Sequence, residues 1–200
     1  QPLSTPMRTA EDTHGPAGLG YAELRRVKPD IVYCAISGFG MDGPLRDNPA
    51  YDQIVQGLSG VMSVTGTPET APLRVGYPVS DTMGGIAAAF AIAAALVQKE
   101  RTGQGQHIDV SMLEATLVAM GSAVSNWLIA GVEPRPMGNE NMTAAPSGAF
   151  HTGRGLLNIA ANKQEQFEAL VRLLGRPELA ADPRFAGRED RKRHRLALRH

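Results

Sequence analysis

The strongest constraint on the fold is an unbroken apolar run at residues 31–36, Ile-Val-Tyr-Cys-Ala-Ile. A run this rich in β-branched and aromatic residues is typical of a strand buried on both faces of a parallel sheet. The run leads into Ser37-Gly38-Phe39-Gly40, which predicts a sharp turn. Ligands of open α/β sheets bind where parallel strands end, so Gly38 and Gly40 belong to a candidate ligand loop.

Helical patterns surround this strand in the first part of the chain. They predict helices over residues 21–28, 51–58, 81–100 and 112–130, with a second strand over 106–111. The helix over 81–100 is the longest and is rich in alanine, so it can pack closely against its neighbours. This order of elements predicts the α/β class.

The pattern changes after residue 130. A loop over 131–147 precedes a predicted hairpin with strands at 148–151 and 156–161. An amphipathic helix is predicted over 164–174. The basic segment 188–200 is interpreted as a solvated helical face.

One carboxylate stands where it could act chemically. Asp81 opens the alanine-rich helix and is followed by Gly84 and Gly85, which let a backbone or a ligand approach closely. A helix N-terminus carries unpaired N–H groups and partial positive charge, so it favours an ionised carboxylate. Such a carboxylate can attack an activated acyl group. The alternative is that Asp81 only caps its helix, as aspartate commonly does.

Composition narrows the function and the compartment. The formal net charge is zero, which argues against nucleic acid as the main partner. The single cysteine, Cys34, cannot form an internal disulfide, which favours a reducing cytoplasm; its place in the apolar run favours a small hydrophobe over a nucleophile. The apolar run nearest to membrane-spanning length, residues 86–97, is too short, so no membrane segment is predicted, and no secretory signal is visible. His107 and His151 lack metal-ligand spacing, so no metal site is predicted.

Five separated motifs along residues 19–200 match one known family in the same order. They are residues 28–33 with the turn at 37–40, Tyr-Asp at 51–52 with 57–60, the Asp81 block, 101–106 with 109–115, and the pair 175–179 and 182–185. The chain thereby resembles the class III (CaiB/BaiF-type) CoA-transferases, the family of formyl-CoA transferase, carnitine CoA-transferases and α-methylacyl-CoA racemase. The resemblance implies part of a Rossmann-like parallel sheet with long alanine-rich helices, then a smaller α+β segment with a hairpin.

The resemblance also implies a mechanism. Asp81 stands at the family's nucleophile, which attacks an acyl-CoA thioester and passes through an aspartyl anhydride and an aspartyl-CoA thioester. The segment Asn48, Pro49, Ala50 and Tyr51 occupies a stretch that lies along bound CoA in the family. Coenzyme A is thus expected as part of a thioester substrate, with no permanently bound cofactor.

Two glycine-bearing loops are implied to face the substrate. Gly38 and Gly40 keep side chains clear of the first loop, a role that is compatible with a plain tight turn. Gly138, Asn139 and Glu140 fall where relatives have a loop over the catalytic aspartate. Glu140 could take part in acid/base or electrostatic chemistry, or it could be a solvent-exposed loop glutamate. Likewise, an arginine at position 74 could face an acceptor carboxylate or simply lie on the surface.

Position 51 bears on the type of reaction. The family's racemases carry a His-Asp pair in this block, whereas this chain has Tyr51. Tyrosine ordinarily has a pKa of about 10 and is a poor base at neutral pH. CoA transfer to a carboxylic acid is therefore favoured over racemisation of a 2-methylacyl-CoA. Tyr51 could also serve only as packing at a helix start.

Family members are longer than this chain and form interlocked homodimers. The resemblance implies acyl-CoA and a small carboxylic acid as partners, and a homodimer. Residues 1–18 are interpreted as an irregular or non-native lead-in, 19–130 as the central part of the large CoA-transferase domain, and 131–200 as a loop plus part of the smaller α+β domain. A further alternative is an inactive fragment that only packs against a partner chain.

Overall fold

The computed structural model of the protein describes residues 19–199. The predicted lead-in at 1–18 lies outside the described residues. The chain divides into two compact units, one up to residue 136 and one from residue 137 onward. The domain assignment made from the sequence stays a prediction.

The first unit contains five α-helices, a 3-10 helix (Val61–Val64) and a two-stranded sheet among its described residues. The helices are α1 (Tyr21–Val27), α2 (Asp52–Ser59), α3 (Val79–Thr102), α4 (Met112–Ala119) and α5 (Gly121–Ala130), and the strands are β1 (Val32–Ser37) and β2 (Gln106–Ser111). The strands pair in parallel, from Val32 opposite Gln106 to Ser37 opposite Ser111. Both strands therefore end at the same edge of the sheet. The predicted α/β class is confirmed.

Helix α3 packs against this sheet through its alanines. Ala88 and Ala95 form a buried cluster with Ile108 and Val110 of β2. Small side chains let the helix axis come close to the strands, as the alanine content predicts. The first turns of α3 also lie close to a neighbouring helix, because a Cβ atom at Gly84 would stand only 3.0 Å from Met112 Cγ.

Two expectations about this unit are wrong. Strand β1 is not buried on both faces: its residues are half-buried and Ile36 is 52 % exposed, because only β2 pairs with β1 among the described residues. The single helix predicted over 112–130 is two helices, bent by 79°. The break falls at Met120 (ψ 15°), just before Gly121, whose low helix propensity permits it.

Helix α3 also revises the expectation about membrane-spanning length. At 24 residues and a mean hydropathy of 1.6 over its best window, it is long and apolar enough to cross a membrane by length and composition. The bent pair α4–α5 would also be long and apolar enough to cross a membrane if it formed one span. The helix reaches further at both ends than the sequence predicted. It packs on both strands and on α2 and α4, and 22 % of that window is buried among the described residues.

The second unit joins a hairpin to short helices. Strands β3 (Ser147–Thr152) and β4 (Gly155–Ala160) pair in antiparallel fashion, as predicted, and α6 (Gln164–Leu173) and α7 (Arg188–Arg193) follow. Two 3-10 turns, Pro177–Ala181 and Arg195–Leu198, complete the unit.

Two aromatic side chains and an arginine form the core of the second unit. Phe167, Val171 and Phe185 are almost fully buried. Arg191 is 1 % exposed, and its guanidinium carbon lies 4.6 Å from the centre of the Phe167 ring. The interpretation of 188–200 as a solvated face is therefore wrong at Arg191, because this side chain reaches inward to buried acceptors.

The far end of α3 is tied to the segment before β1 by an ion-pair cluster. Asp30 lies 2.7 Å from Lys99 Nζ and 2.9 Å from Lys28 Nζ. The hydrogen bond from Lys99, followed by the one from Lys28, lowers the pKa of Asp30 from 3.8 to about 2. The Asp30 carboxylate therefore binds a proton less readily in the folded state than in the unfolded chain.

Asp30→Asn is expected to lower the free energy of unfolding at pH 7. A depressed carboxyl pKa stabilises the fold above pH 3.8, and this contribution is lost as the pH falls toward 2, so the difference from wild type should disappear there. Urea titrations at several pH values measure this difference in the free energy of unfolding. Glu100→Gln removes an exposed carboxylate with no ion pair among residues 19–199 and should show no comparable loss of stability. A difference that persists at pH 2 would contradict the linkage.

Candidate functional site

Asp81 lies in the first turn of α3, near the edge where the strands end. A Cβ atom on Gly84, one turn further along, would stand 3.7 Å from Ile36 Cγ2 of β1. A Cβ atom on Gly85 would meet nothing within 4 Å, so this side of the helix is open among the described residues. The Asp81 side chain is exposed, and its carboxylate makes no hydrogen bond or ion pair within residues 19–199. It is sterically free to meet a ligand.

The start of α3 is capped by another residue. Pro78 occupies the N-cap position and has no side chain that could accept a hydrogen bond. Instead, Asp52 of α2 accepts the N–H groups of Ser80 at 2.8 Å and of Asp81 at 3.4 Å through Oδ1. The N–H of Val79 donates to the Tyr77 carbonyl. The N–H groups at this helix start are expected from the sequence to be unpaired. That expectation is wrong, because the Asp52 carboxylate accepts two of them.

Gln56 holds the capping carboxylate in place. This side chain is fully buried, and its Nε2 donates to Asp52 Oδ2 at 2.7 Å and to the Tyr77 carbonyl at 3.2 Å. Its Oε1 accepts the N–H of Val75 at 2.9 Å. On the exposed side, Arg74 Nε lies 3.9 Å from Asp52 Oδ2. The segment before α3 and the first turn of α3 are therefore bonded to α2 by one polar network.

The loop after β1 is fixed by hydrogen bonds to neighbouring elements. Asp109 Oδ2 accepts the N–H of Met41 at 2.7 Å, and Ser37 Oγ accepts the N–H of Gly40 at 2.9 Å. The Gly38 carbonyl accepts the N–H of Leu113 at 3.0 Å. Gly40 has φ +84°, a conformation that favours glycine. The Asp109 carboxylate also adds to the effect of burial, the larger cause, in raising the pKa of the Cys34 thiol.

The structure brings the predicted CoA segment against this loop. A Cβ atom at Gly38 would collide with Cβ of Ala50, so the two backbones approach closely. Asn48 and Pro49 are exposed. Tyr51 is 78 % exposed, so its side chain does not pack at the helix start, and the packing alternative is wrong. Tyr51 is followed directly by the Asp52 cap.

The Gly38–Ala50 approach gives a prediction about stability. Gly38→Ala is expected to lower the free energy of unfolding by about 1–3 kcal/mol, the usual cost of overpacking. Urea unfolding followed by the fluorescence of Trp127, the only tryptophan, measures the effect. Gly38→Ala combined with Ala50→Gly should regain part of the loss. Gly85→Ala places the same methyl group in open space and should be neutral or slightly stabilising. Equal losses in both alanine variants would contradict the steric argument.

Gly138, Asn139 and Glu140 belong to the second unit. They line a shallow cavity of about 320 Å³ together with Gly148 and Asn158. The Glu140 side chain is 12 % exposed, so the alternative of a solvent-exposed glutamate is wrong.

Two arginines near the end of the described chain hold Glu140. Arg199 Nε lies 2.6 Å from its Oε1, without the alignment of a hydrogen bond, and Arg195 Nη1 lies 3.8 Å from its Oε2. Arg195 also donates to the Asn141 carbonyl. Within the second unit, ion pairs from Glu140 to these two arginines therefore hold the loop of residues 138–140 in place.

A sizeable cavity lies in the first unit among the described residues. It has a volume of about 760 Å³, and its lining includes the apolar side chains of Leu117, Val124 and Trp127 on α4 and α5. Asp81 does not line it. Within the part of the chain that the structure describes, no group of three His, Cys, Asp or Glu side chains could hold a metal ion.

Comparisons with known proteins place these features in context. A sequence model of CoA-transferase family III matches residues 12–200. Acetyl-CoA:oxalate CoA-transferase of Acetobacter aceti is 42 % identical over 183 residues, which are 91 % of this chain and 47 % of that protein. Succinate–glutarate CoA-transferase of Agrobacterium fabrum is 39 % identical over 182 residues, which are 91 % of this chain and 46 % of that protein.

Solved structures agree with the sequence relatives. A crystal structure of a CaiB/BaiF family protein from Brucella suis superposes with a TM-score of 0.78 at 37 % identity and covers 91 % of this chain and 48 % of that one. A structure from Mycobacterium tuberculosis gives a TM-score of 0.80 at 28 % identity and covers 94 % of this chain and 48 % of that one. The chain spans about half the length of the curated relatives it matches.

Proposed function

The chain belongs to CoA-transferase family III, and on that premise we propose that its protein transfers CoA from an acyl-CoA to a carboxylic acid, with Asp81 as the nucleophile. One observation carries the proposal. The Asp81 carboxylate has no bonding partner within residues 19–199 and lies near the edge where two parallel strands end. Ligands of open α/β sheets bind at that edge.

The proposed reaction has two exchanges at one carboxylate. An Asp81 oxygen attacks the thioester carbon and expels CoA thiolate, which leaves a mixed anhydride. The thiolate then attacks the Asp81 carbonyl carbon, releases the donor acid as its carboxylate, and forms an aspartyl-CoA thioester. The acceptor carboxylate attacks this thioester, CoA thiolate departs again, and a second anhydride forms. Attack of the thiolate on the acceptor acyl carbon gives the new acyl-CoA and regenerates Asp81.

The neighbouring residues support the substrate class. The exposed segment Asn48 to Tyr51 lies against the Gly38 loop, where it could follow the thioester arm of CoA. Gly138, Asn139 and Glu140 are proposed as a further substrate loop. The relatives named above carry oxalate, succinate and glutarate in their names, so small dicarboxylic acids are the first acceptors to test.

The test is a panel of acyl-CoA donors and carboxylic acid acceptors, with exchange followed by chromatography. Hydroxylamine added during turnover should attack the aspartyl-CoA thioester, expel CoA thiolate and leave a β-hydroxamate, which tandem mass spectrometry locates at Asp81. Deuterium incorporation at the α-carbon without CoA exchange would favour a racemase instead. If neither CoA exchange nor a hydroxamate is found, the result would favour a chain that only packs against a partner chain.

We also propose that the protein is a homodimer in a reducing cytoplasm. Large apolar side chains are exposed on α3 and α5, including Phe90 at 77 % and Ile129 at 86 %, and burying such residues favours association. The single cysteine is consistent with a reducing compartment. Light scattering of the native protein measures its mass, and a monomeric mass would contradict the dimer.

A further inference from the structure

We propose that Asp52 is a positioning residue for CoA transfer: its carboxylate fixes the first turn of α3 and leaves the Asp81 carboxylate free to attack. This inference rests on the proposed function. It is carried by the cap that Asp52 supplies across the gap between α2 and α3.

Asp52 bonds to the positions that an N-cap side chain normally serves. With Pro78 as N-cap, Val79, Ser80 and Asp81 occupy the first three helical positions of α3. An N-cap side chain normally accepts the N–H groups of the second and third positions. Asp52 accepts those two N–H groups from outside the helix. One of them belongs to the backbone of the nucleophile itself, so Asp52 acts on Asp81 through a single peptide group.

The Asp81 side chain lacks the donor that its helical position normally offers. An acidic or amide side chain at the third helical position commonly reaches back to the N–H of the N-cap residue. Pro78 has no N–H group, so Asp81 cannot make that bond. Asp52 meanwhile accepts the N–H groups of Ser80 and Asp81, and the Tyr77 carbonyl accepts that of Val79. Both features leave the Asp81 oxygens without a donor among residues 19–199, and their lone pairs stay available for attack.

The Asp52 cap is held rigidly by Gln56. Asp52 is 8 % exposed, and Gln56 Nε2 fixes its second oxygen at 2.7 Å. The Gln56 amide cannot rotate freely, because Val75 donates to its oxygen while its nitrogen donates to Asp52 and to the Tyr77 carbonyl. Positioning within about 1 Å can change a rate by about 100-fold. A cap held by a side chain that is itself fixed by three hydrogen bonds can provide such positioning.

The test compares Asp52→Ala, Asp52→Asn and Asp30→Asn in the native protein that carries this chain, with any flanking sequence included. Asp52→Ala removes the acceptor, and kcat should fall by about 100-fold while KM for acyl-CoA changes by less than about threefold. Asp52→Asn keeps one acceptor oxygen and should recover at least about tenfold of that loss. Asp30→Asn breaks the ion pair at the far end of α3 and should leave kcat unchanged.

A second readout does not depend on activity. Hydrogen exchange of the Ser80 and Asp81 amides should accelerate by about tenfold in Asp52→Ala, because their acceptor is gone. The same amides should keep their wild-type exchange rates in Asp30→Asn. If Asp52→Ala does not fold, Asp52→Asn carries the test, with a smaller loss of kcat and an unchanged KM expected.

The outcomes separate this inference from the proposed function. An active wild type together with a folded Asp52→Ala variant whose kcat is within twofold of wild type overturns the positioning role. A loss that appears equally in Asp30→Asn overturns it too, because it would reflect general stability. A wild-type protein with no CoA exchange and no hydroxamate at Asp81 sinks the proposed function itself.

Discussion

Replacing Asp81 with alanine is expected to lower kcat for CoA transfer by about 1,000-fold or more, because alanine has no carboxylate to form the acyl bond. KM for acyl-CoA should change little, since the carboxylate contributes to the reacting centre and the proposed CoA segment is a different one, residues 48–51. Steady-state rates with the best donor and acceptor of the panel measure both constants. The hydroxamate adduct should be absent from the variant.

The free energy of unfolding should hardly change in this variant, so a loss of kcat would not be caused by unfolding. The side chain is exposed and without partners among the described residues, and an acidic group near a helix N-terminus contributes only about 0.3–1 kcal/mol. Glu100→Ala is the matched control, because it removes an exposed carboxylate from the last turns of the same helix. Full activity in Asp81→Ala, or an equal loss in Glu100→Ala, would contradict the assignment of the nucleophile.

The parts of the fold that local pattern determines could be predicted. The apolar run before Ser37 predicted β1, the alternation at 106–111 predicted β2 with its observed bounds, and the alanine content of α3 predicted its close packing. The motifs also identified the family, which the match over residues 12–200 confirms. Each strand, helix or single motif is recognised from residues that are near one another in the chain.

The polar network at the site could not be predicted from the same patterns. Asp52 caps a helix that begins 27 residues further along, and no period or composition links the two. One signal was present in the sequence: Pro78 directly precedes α3, and a proline offers neither a capping side chain nor an N–H group. A helix starting there needs its cap from another element. The roles of the site residues remain predictions.

The burial of Arg191 could not be predicted either, because its partners are also distant in the chain. A run of charged residues is usually solvated, so the local pattern indicated an exposed Arg191 side chain. Its Nε donates to the Ala145 carbonyl at 3.0 Å, and Nη1 donates to Gln164 Oε1 at 2.7 Å and to the Phe185 carbonyl at 3.0 Å. These acceptors come from three separate segments of the second unit. Burial, followed by repulsion from Arg188, lowers the pKa of the Arg191 guanidinium. Its charge is held by dipoles and by the Phe167 ring rather than by a paired carboxylate.

Arg191→Ala is therefore expected to destabilise the second unit by about 3–5 kcal/mol, since it leaves a cavity beside Phe167 and strips donors from buried carbonyls. Hydrogen exchange of α6 amides, followed by mass spectrometry in the intact chain, reports this loss locally. Arg193→Ala is the control: its side chain is 72 % exposed and its ion pair with Asp190 contributes little, so the change should stay within about 0.5 kcal/mol.

Two further substitutions separate volume from hydrogen bonding at Arg191. Arg191→Met fills most of the space but supplies no donor, so about 1–3 kcal/mol should still be lost through the unpaired carbonyls of Ala145 and Phe185. Arg191→Lys keeps the charge but replaces the planar fork with a single ammonium group that cannot reach three acceptors at once. We expect both to lie between wild type and alanine. A methionine variant as stable as wild type would mean that packing on Phe167, and not the bonds between segments, holds this unit together.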